Sequence, residues 1–233
     1  MCFSAEASFA AAAALLPAGV VAMQRAVRRN LTYLPIATLP LLFGLQQFSE
    51  GTVWMAGRAN HQSAVETSSL AYMFFSYFAW PVWVPFSAYF LEPQRRRSLY
   101  LMFAISGSML AGVQYIPYFA HQGWLTTRFY DYAISYQGTV LLDALIPREL
   151  TYLIYLMTVI LPLIISSNLN LRFFGGLLMG VVAVTYAFFI YAYVSVFCFG
   201  GAVMSSFLVW MVFQETADAR NSRYPTLGPG VAG

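Results

Sequence analysis

Residues 39–55, LPLLFGLQQFSEGTVWM, decide the fold, because they combine the length of a membrane span with one carboxylate, Glu50. An apolar run of this length is typical of a transmembrane helix. A charged side chain inside such a helix costs about 2.5–3.5 kcal/mol on insertion scales, so it normally faces protein or water rather than lipid. Gln46, Gln47 and Trp54 lie three or four residues away, on the same helical face. The stretch therefore predicts a membrane helix with a polar stripe that faces the interior of a bundle.

The composition of the whole chain also indicates an integral membrane protein. Of its 233 residues, 60% are hydrophobic and 9% are charged, whereas a soluble domain carries about 25% charged residues. The length predicts a single transmembrane helical domain over residues 1–220. Residues 221–233 are rich in Gly and Pro and predict a disordered C-terminal tail. The chain contains no lysine, which excludes chemistry that needs a lysine Schiff base.

The hydrophobic pattern divides into seven segments, each near the roughly 20 residues that a spanning helix needs. These segments are residues 4–24, 34–56, 67–91, 99–119, 149–167, 173–193 and 197–214. The last two come from one apolar run, which we divide near Ser195, before Gly200 and Gly201. An alternative with six helices stays open at this point. The predicted fold class is all-α, a polytopic membrane bundle of seven transmembrane helices.

The distribution of arginine predicts the orientation of the bundle. With the N-terminus outside, nine of the twelve arginines fall in the inner loops and the tail. Positive residues concentrate on the cytoplasmic side of membrane proteins. The same topology places six of the nine acidic residues on the outer side. We therefore predict that the N-terminus lies outside and the C-terminus lies in the cytoplasm.

The two cysteines, Cys2 and Cys198, are placed at the outer level of the membrane by this topology. A disulfide, a metal site and a pair of buried apolar thiols are all compatible with that placement. In a closed bundle the first helix can neighbour both the second and the seventh, so the two thiols and Glu50 can converge. Thiolate and carboxylate donors suit zinc or copper. Cys2, Glu50 and Cys198 are therefore candidate ligands of a zinc or copper ion at an outward-facing site.

Glu50 itself has two interpretations. A protonated carboxyl group can hydrogen-bond to a neighbouring glutamine and fix helix packing. Alternatively, Gln47, Glu50 and Trp54 together bind a ligand or cofactor. The sequence contains no G-x-S-x-G, phosphate loop, C-x-x-C or H-E-x-x-H pattern, so no enzyme class is identified.

Two further stretches carry expectations about structure. The longest connection, residues 121–147, contains the amphipathic stretch FYDYAISYQG and predicts an interfacial or re-entrant segment. The third hydrophobic segment contains FFSYFAWPVWVPFSAYF and is unusually aromatic. That composition is typical of lipid-facing and interfacial packing. The alternative is a stacking wall for a ligand.

Several short motifs resemble an uncharacterised family of small bacterial multi-pass membrane proteins. They are MCFSAEASF at residues 1–9, PLLFGLQQFSEGTVW at 40–54, WPVWVP at 80–85 and SVFCF at 195–199. The resemblance covers most of the chain and implies the cytoplasmic (inner) membrane of a bacterium, but no particular activity. It implies that a set of residues belongs together: Cys2, Ser4, Gln47, Glu50, Trp54 and Cys198. Members of this type carry a histidine near residues 133–136 that this chain lacks, so His121 would have to replace it as a metal ligand.

The leading functional hypothesis is an integral membrane protein with an outward-facing polar pocket. The pocket would bind a metal ion or a small ligand, in a sensor, carrier or assembly role. The alternative is a membrane-embedded metal-dependent hydrolase or thiol oxidoreductase that acts at the outer leaflet. The expected partners are membrane lipid and the ligand or metal ion, and no feature indicates a nucleic acid.

Overall fold

The computed structural model describes residues 4–121, 123–138 and 141–223, except for the side chains of Ala144 and of residues 218–223. The helices are α1 (Ala5–Arg29), α2 (Leu34–Ala37), α3 (Leu39–Arg58), α4 (Gln62–Met73), α5 (Trp80–Leu91), α6 (Gln94–Ala120), α7 (Arg148–Val159), α8 (Leu161–Ile164), α9 (Leu169–Phe188) and α10 (Tyr193–Arg223). Short 3-10 turns occupy Leu31–Tyr33, Leu141–Ala144 and Ile190–Ala192, and a π-helical segment occupies Phe74–Ala79. The predicted tail overlaps the end of α10 by three residues, and residues 224–233 lie outside the described part.

Within the described residues, the helices combine into seven consecutive helical units. Helix α2 leads into α3, α4 continues through the π-helical segment into α5, and α7 leads into α8. Pro35, Pro40 and Pro162 lie in the first turns of α2, α3 and α8. A proline there fixes a helical φ and gives up no intrahelical hydrogen bond, so the breaks occur where the sequence can begin a new helix.

Four segments of the described chain are long and apolar enough to cross a membrane, which indicates an integral membrane protein. They are Ala5–Arg29, Gln94–Ala120, Leu169–Phe188 and Ile190–Ala217. The other three helical units are interrupted by the proline breaks or by the π-helical segment. Helix α3 has 20 residues, but Gln46, Gln47 and Glu50 lower its mean hydropathy. The structure thus supports a helical membrane protein, and seven spans remain a proposal.

The prediction of an all-α fold was wrong in the long connection. Strands β1 (Leu125–Tyr130) and β2 (Ala133–Gly138) form an antiparallel hairpin in which Tyr130 pairs with Ala133. The interfacial or re-entrant segment predicted here is therefore a two-stranded sheet. Aromatic and β-branched side chains favour strands, and the two-residue connection between β1 and β2 is the usual length for a hairpin. The first four residues of β2 are buried against the helices.

The division of the last apolar run also differs from the prediction. Helix α9 ends at Phe188 and α10 begins at Tyr193, so the two helices are separate but break before Ser195. Cys198 lies inside α10 rather than at a turn. The glycines expected to mark the break instead allow close packing, because a Cβ on Gly200 would lie 2.4 Å from the side chain of Val181.

Consecutive helical units alternate in direction between two ends of the molecule. At the hairpin end, the start of α1 meets the end of α3 through an ion pair of Glu6 with Arg58 at 2.7 Å. At the opposite end, which we call the arginine-rich end, Arg25 of α1 donates a hydrogen bond to Thr216 of α10 at 3.1 Å. Helix α1 packs against both α3 and α10. The first helical unit therefore packs against both the second and the last, as expected.

Candidate functional site

Glu50 lies fully buried among polar side chains from three helical units. We call this group the Glu50 cluster, and its members are Gln46, Gln47, Glu50, Ser76, Ser195 and Cys198. The first three come from α3, Ser76 comes from the π-helical segment, and the last two come from α10. Each of them is at most 2% exposed. An ionisable residue buried in a membrane protein, such as Glu50, is a functional-site hypothesis by default.

The Glu50 carboxylate is only partly satisfied by this environment. The Ser195 hydroxyl donates a hydrogen bond to Glu50 Oε1, while Glu50 Oε2 has no partner among the described residues. The Gln47 amide adjoins the carboxylate one helical turn away, but its orientation leaves both of its polar atoms without a hydrogen bond of normal geometry. Buried polar groups are almost always bonded, and the adjoining Gln47 amide is an available donor for Glu50 Oε2.

In a second part of the cluster, hydrogen-bonding contacts link one side chain to the next. Gln46 Nε2 donates to Ser76 Oγ at 2.9 Å, and Ser76 Oγ lies 3.4 Å from Cys198 Sγ. Trp80 Nε1 donates to Gln46 Oε1 at 3.1 Å. This chain of contacts joins α3, the π-helical segment, α5 and α10. Sequence reasoning missed Ser76, because a π-helical turn depends on tertiary packing, and such turns occur frequently at functional sites.

The β-hairpin lies against the hairpin-end side of the cluster. Tyr136 of β2 stacks on Tyr72 of α4, with ring centroids 4.7 Å apart, and lies within electrostatic range of Glu50. The ring of Trp54 lies 5.8 Å from that of Phe129 on β1. The Tyr136 hydroxyl and Trp54 Nε1 are buried without a partner among the described residues. Sequence reasoning also missed Tyr136, since its role depends on a hairpin that was not predicted.

A cavity of about 440 Å³ lies next to the cluster, and Ser76 and Cys198 belong to its wall. We call it the tyrosine cavity, because its lining includes Tyr77, Tyr152, Tyr155, Tyr186 and Tyr193. The remaining lining residues come mainly from α6, α7, α9 and α10. Its size falls within the range of roughly 300–1,000 Å³ that small-molecule sites occupy.

The polar atoms of the tyrosine cavity form two groups. The Tyr193 hydroxyl donates to the Tyr152 hydroxyl at 2.6 Å and lies 3.4 Å from the Tyr77 hydroxyl. Gln114 Oε1 and Thr185 Oγ1 are buried and have no partner within the described chain. Ser76 and the carboxylate of Glu149 also line the cavity, and the rest of the lining is apolar or aromatic. This pattern, an apolar cavity with a few polar atoms that are not used by the fold, is typical of an organic-ligand site.

The structure brings some of the predicted site residues together and not others. Gln47, Glu50 and Trp54 share one buried face of α3, and Cys198 lies within electrostatic range of Glu50. His121 instead caps the end of α6 and stacks on Trp124, with ring centroids 4.4 Å apart.

The predicted zinc or copper site is not assembled in the described part of the chain. Cys2 lies outside the described residues. Within them, no group of three His, Cys, Asp or Glu side chains is close enough together to hold a metal ion. Metal binding through Cys2, Glu50, Cys198 and His121 therefore stays a prediction.

The fold and the site together define a polytopic helical membrane protein with a buried polar cluster and an adjoining cavity. The chain belongs to the family of unknown function DUF6629, whose family model matches residues 1–223. The expected membership in an uncharacterised family is confirmed to that extent. No curated protein and no solved structure matches the chain.

Proposed function

We propose that this protein is a membrane-embedded binding protein that takes up a small organic ligand in the tyrosine cavity, as a sensor or carrier. The protein would cross the bacterial cytoplasmic membrane seven times, with the N-terminus outside. Seven helical units that alternate in direction support this topology. The positive-inside rule then assigns the arginine-rich end to the cytoplasm and the hairpin end, with the cavity nearer to it, to the outer side.

The unused hydrogen-bonding atoms of the cavity carry this proposal. Gln114 is 4% exposed, and its Oε1 atom can only accept a hydrogen bond. An occupant that satisfies it must supply an O–H or N–H group. The aromatic walls formed by Tyr77, Tyr155 and Phe197 favour a flat or apolar body. The ligand class is therefore a compact aromatic or apolar molecule with at least one hydrogen-bond donor.

The position of the cavity supports access from the membrane. Its wall is formed on one side by α7 and on the other by α9 and α10. Tyr186 and Ile190, which also line it, are 74% and 60% exposed. The cavity thus reaches the lateral surface of the molecule near the hairpin end. A ligand that partitions into lipid can enter by this route without crossing the polar cluster.

Binding of naphthol tests the proposal, because naphthol has an aromatic body and one O–H donor. Equilibrium dialysis against the purified protein in lipid nanodiscs should give saturable binding. Gln114→Leu should weaken binding about tenfold, since the lost hydrogen bond is worth about 1.4 kcal/mol. Naphthalene, which lacks the donor, should bind the wild type and Gln114→Leu equally.

Gln24→Leu is the matched control, because it makes the same change on an exposed position of α1 outside the cavity. This variant should bind naphthol like the wild type. Equal affinity of wild type and Gln114→Leu for naphthol would contradict the proposed site. Elemental analysis of the same preparation before and after chelation tests the separate prediction of zinc or copper.

A further inference from the structure

The lining of the tyrosine cavity contains one acidic residue, Glu149. Glu149, Tyr152, Leu153 and Leu156 all line the cavity, and their spacing of three or four residues places them on one face of α7. Glu149 lies in the first turn of α7, about 4.5 Å along the helix axis from Tyr152. It is exposed, so it lies at the hairpin-end mouth of the cavity.

The charge of Glu149 is not balanced by a neighbouring residue in the described structure. Neither of the two ion pairs found among the described residues includes Glu149. Its sequence neighbour Arg148 donates from Nε to Asp143 at 2.9 Å and from Nη2 to the Gly138 carbonyl at 3.4 Å. The cavity lining contains no arginine and no histidine. A ligand in the cavity therefore meets one unpaired negative charge.

Aromatic rings form a large part of the cavity wall. The rings of Tyr152 and Tyr193 have centroids 4.7 Å apart, and their hydroxyls share a hydrogen bond of 2.6 Å. The Tyr155 hydroxyl donates to the Ser76 carbonyl at 2.6 Å, so these rings are fixed by the fold itself. Aromatic rings attract cations, most strongly where water is excluded, and aromatic cages are a recurrent binding site for ammonium groups. Six of the sixteen lining residues are aromatic: Tyr77, Tyr152, Tyr155, Tyr186, Tyr193 and Phe197.

The free acceptor in the cavity fits the same type of ligand. Gln114 Oε1 is buried without a partner among the described residues and can only accept a hydrogen bond. A hydroxyl group and a protonated amine can both donate to it. Only the amine also interacts favourably with the aromatic rings and with the charge of Glu149, whereas an anion would be repelled by that charge.

We propose that the ligand of the tyrosine cavity is an organic cation, a protonated amine on a compact aromatic body, and that Glu149 selects for its positive charge. This inference rests on the proposed function, because it takes the cavity to be a ligand site and adds the charge of the ligand. Glu149 acts at the mouth of the cavity, where an acidic residue raises the local concentration of cations.

Naphthylmethylamine and naphthylmethanol form the test pair, because at neutral pH they differ only in an ammonium or a hydroxyl group on the same body. Equilibrium dialysis uses the purified protein in nanodiscs of zwitterionic lipid, with binding to empty nanodiscs subtracted. The amine should bind about tenfold more tightly than the alcohol. Equal affinity, or tighter binding of the alcohol, overturns the inference.

Variants assign the preference to the cavity. Glu149→Gln should weaken amine binding about three- to fivefold and leave alcohol binding unchanged, because it removes the charge and keeps the shape. Glu66→Gln is the matched control, since Glu66 is an exposed acid outside the lining, and it should keep the wild-type preference. Tyr186→Leu, at a position that is 74% exposed, should reduce the preference about two- to threefold. An unchanged preference in Glu149→Gln overturns the role of Glu149.

The neutral compounds separate failure of this inference from failure of the proposed function. If naphthol or naphthylmethanol binds in a manner that depends on Gln114 and the amine is not preferred, only the charge of the ligand is wrong. If naphthol, the alcohol and the amine all fail to bind, the proposed function and this inference are both overturned.

Discussion

Glu215 at the arginine-rich end is partly buried, Glu50 toward the hairpin end is fully buried, and the two acids differ in the number of hydrogen bonds that they accept. At the arginine-rich end, Glu215 accepts hydrogen bonds from the Tyr33 hydroxyl and from the amides of Asn168 and Asn170, the last two at 2.9 and 2.7 Å. Toward the hairpin end, Glu50 accepts one hydrogen bond from the residues that the structure describes, and its donor is the Ser195 hydroxyl.

Glu92, at the arginine-rich end, is intermediate between Glu215 and Glu50, because its Oε2 atom, like that of Glu50, has no partner among the described residues. Its Oε1 atom accepts from the Ser166 hydroxyl and from the Ser167 backbone N–H, the latter at 2.7 Å. Arg97 donates to the Glu92 carbonyl at 3.1 Å. The donors to the carboxylate come from the turn between α8 and α9, so the Glu92 side chain joins that turn to the end of α5, while Arg97 of α6 bonds to the backbone.

The comparison separates two acids that accept hydrogen bonds from residues in or beside loops, Glu215 and Glu92, from Glu50, which lies in mid-helix. Loops supply free backbone N–H groups and short polar side chains, so an acid near a loop can be satisfied by the chain itself. Glu50 lies in the middle of α3, where backbone donors are already used within the helix. The network at Glu215 has a further effect: burial and the hydrogen bond to the carboxylate raise the pKa of Tyr33 above its usual range, so this phenol stays protonated and continues to donate.

The largest expected effect is at Glu215. Glu215→Ala leaves the Tyr33 hydroxyl and two asparagine amides without their acceptor, which should cost about 2–4 kcal/mol of stability. Fluorescence-detected size exclusion after heating measures the loss. Glu66→Ala, which removes an exposed acid, is the control and should leave the midpoint temperature unchanged. If Glu215→Ala and the wild type have the same midpoint temperature, the hydrogen bonds of Glu215 do not stabilise the arginine-rich end, and the contrast with Glu50 fails.

An intermediate effect is expected at Ser195. Ser195→Ala removes the one hydrogen bond that Glu50 receives from the described chain, at a cost of about 1–2 kcal/mol. The same heating assay measures it. Ser206→Ala, on an exposed position of α10, is the matched control. A loss as large as that of Glu215→Ala would show that Glu50 joins helices in the same way as the acids of the arginine-rich end.

The smallest effect is expected for the ion pair at the surface of the hairpin end. Arg58 and Glu6 have side chains that are 55% and 69% exposed, and solvent screens such pairs strongly. Arg58→Ala should therefore cause no measurable change in midpoint temperature, at low or at high salt. A clear, salt-dependent decrease would indicate that the start of α1 is held mainly by this pair.

Local sequence patterns predicted the helical units of this protein and the polar face of α3. Apolar segments and their arginine flanks predicted helical units close to the observed ones, because helix formation in a membrane depends on hydrophobicity within one segment. Helical periodicity also placed Gln47, Glu50 and Trp54 on one face of α3. Periodicity could not determine the secondary structure of residues 129–138, because a short amphipathic stretch of aromatic residues fits a strand or an interfacial helix equally well.

Only the tertiary structure decided what surrounds Glu50. Ser195 is 145 positions from Glu50 in the chain. Ser76 is directed inward by a π-helical segment, and Tyr136 lies on the hairpin. Gln114 and Thr185 became candidate ligand contacts because the fold buries them without giving them a partner among the described residues. Such relations arise from packing between distant segments, whereas the sequence patterns used for prediction report on neighbours within about two helical turns. The sequence by itself therefore determined a helical membrane protein with a polar stripe on one helix. The tertiary structure placed polar side chains from other helical units beside that stripe and so formed the candidate site.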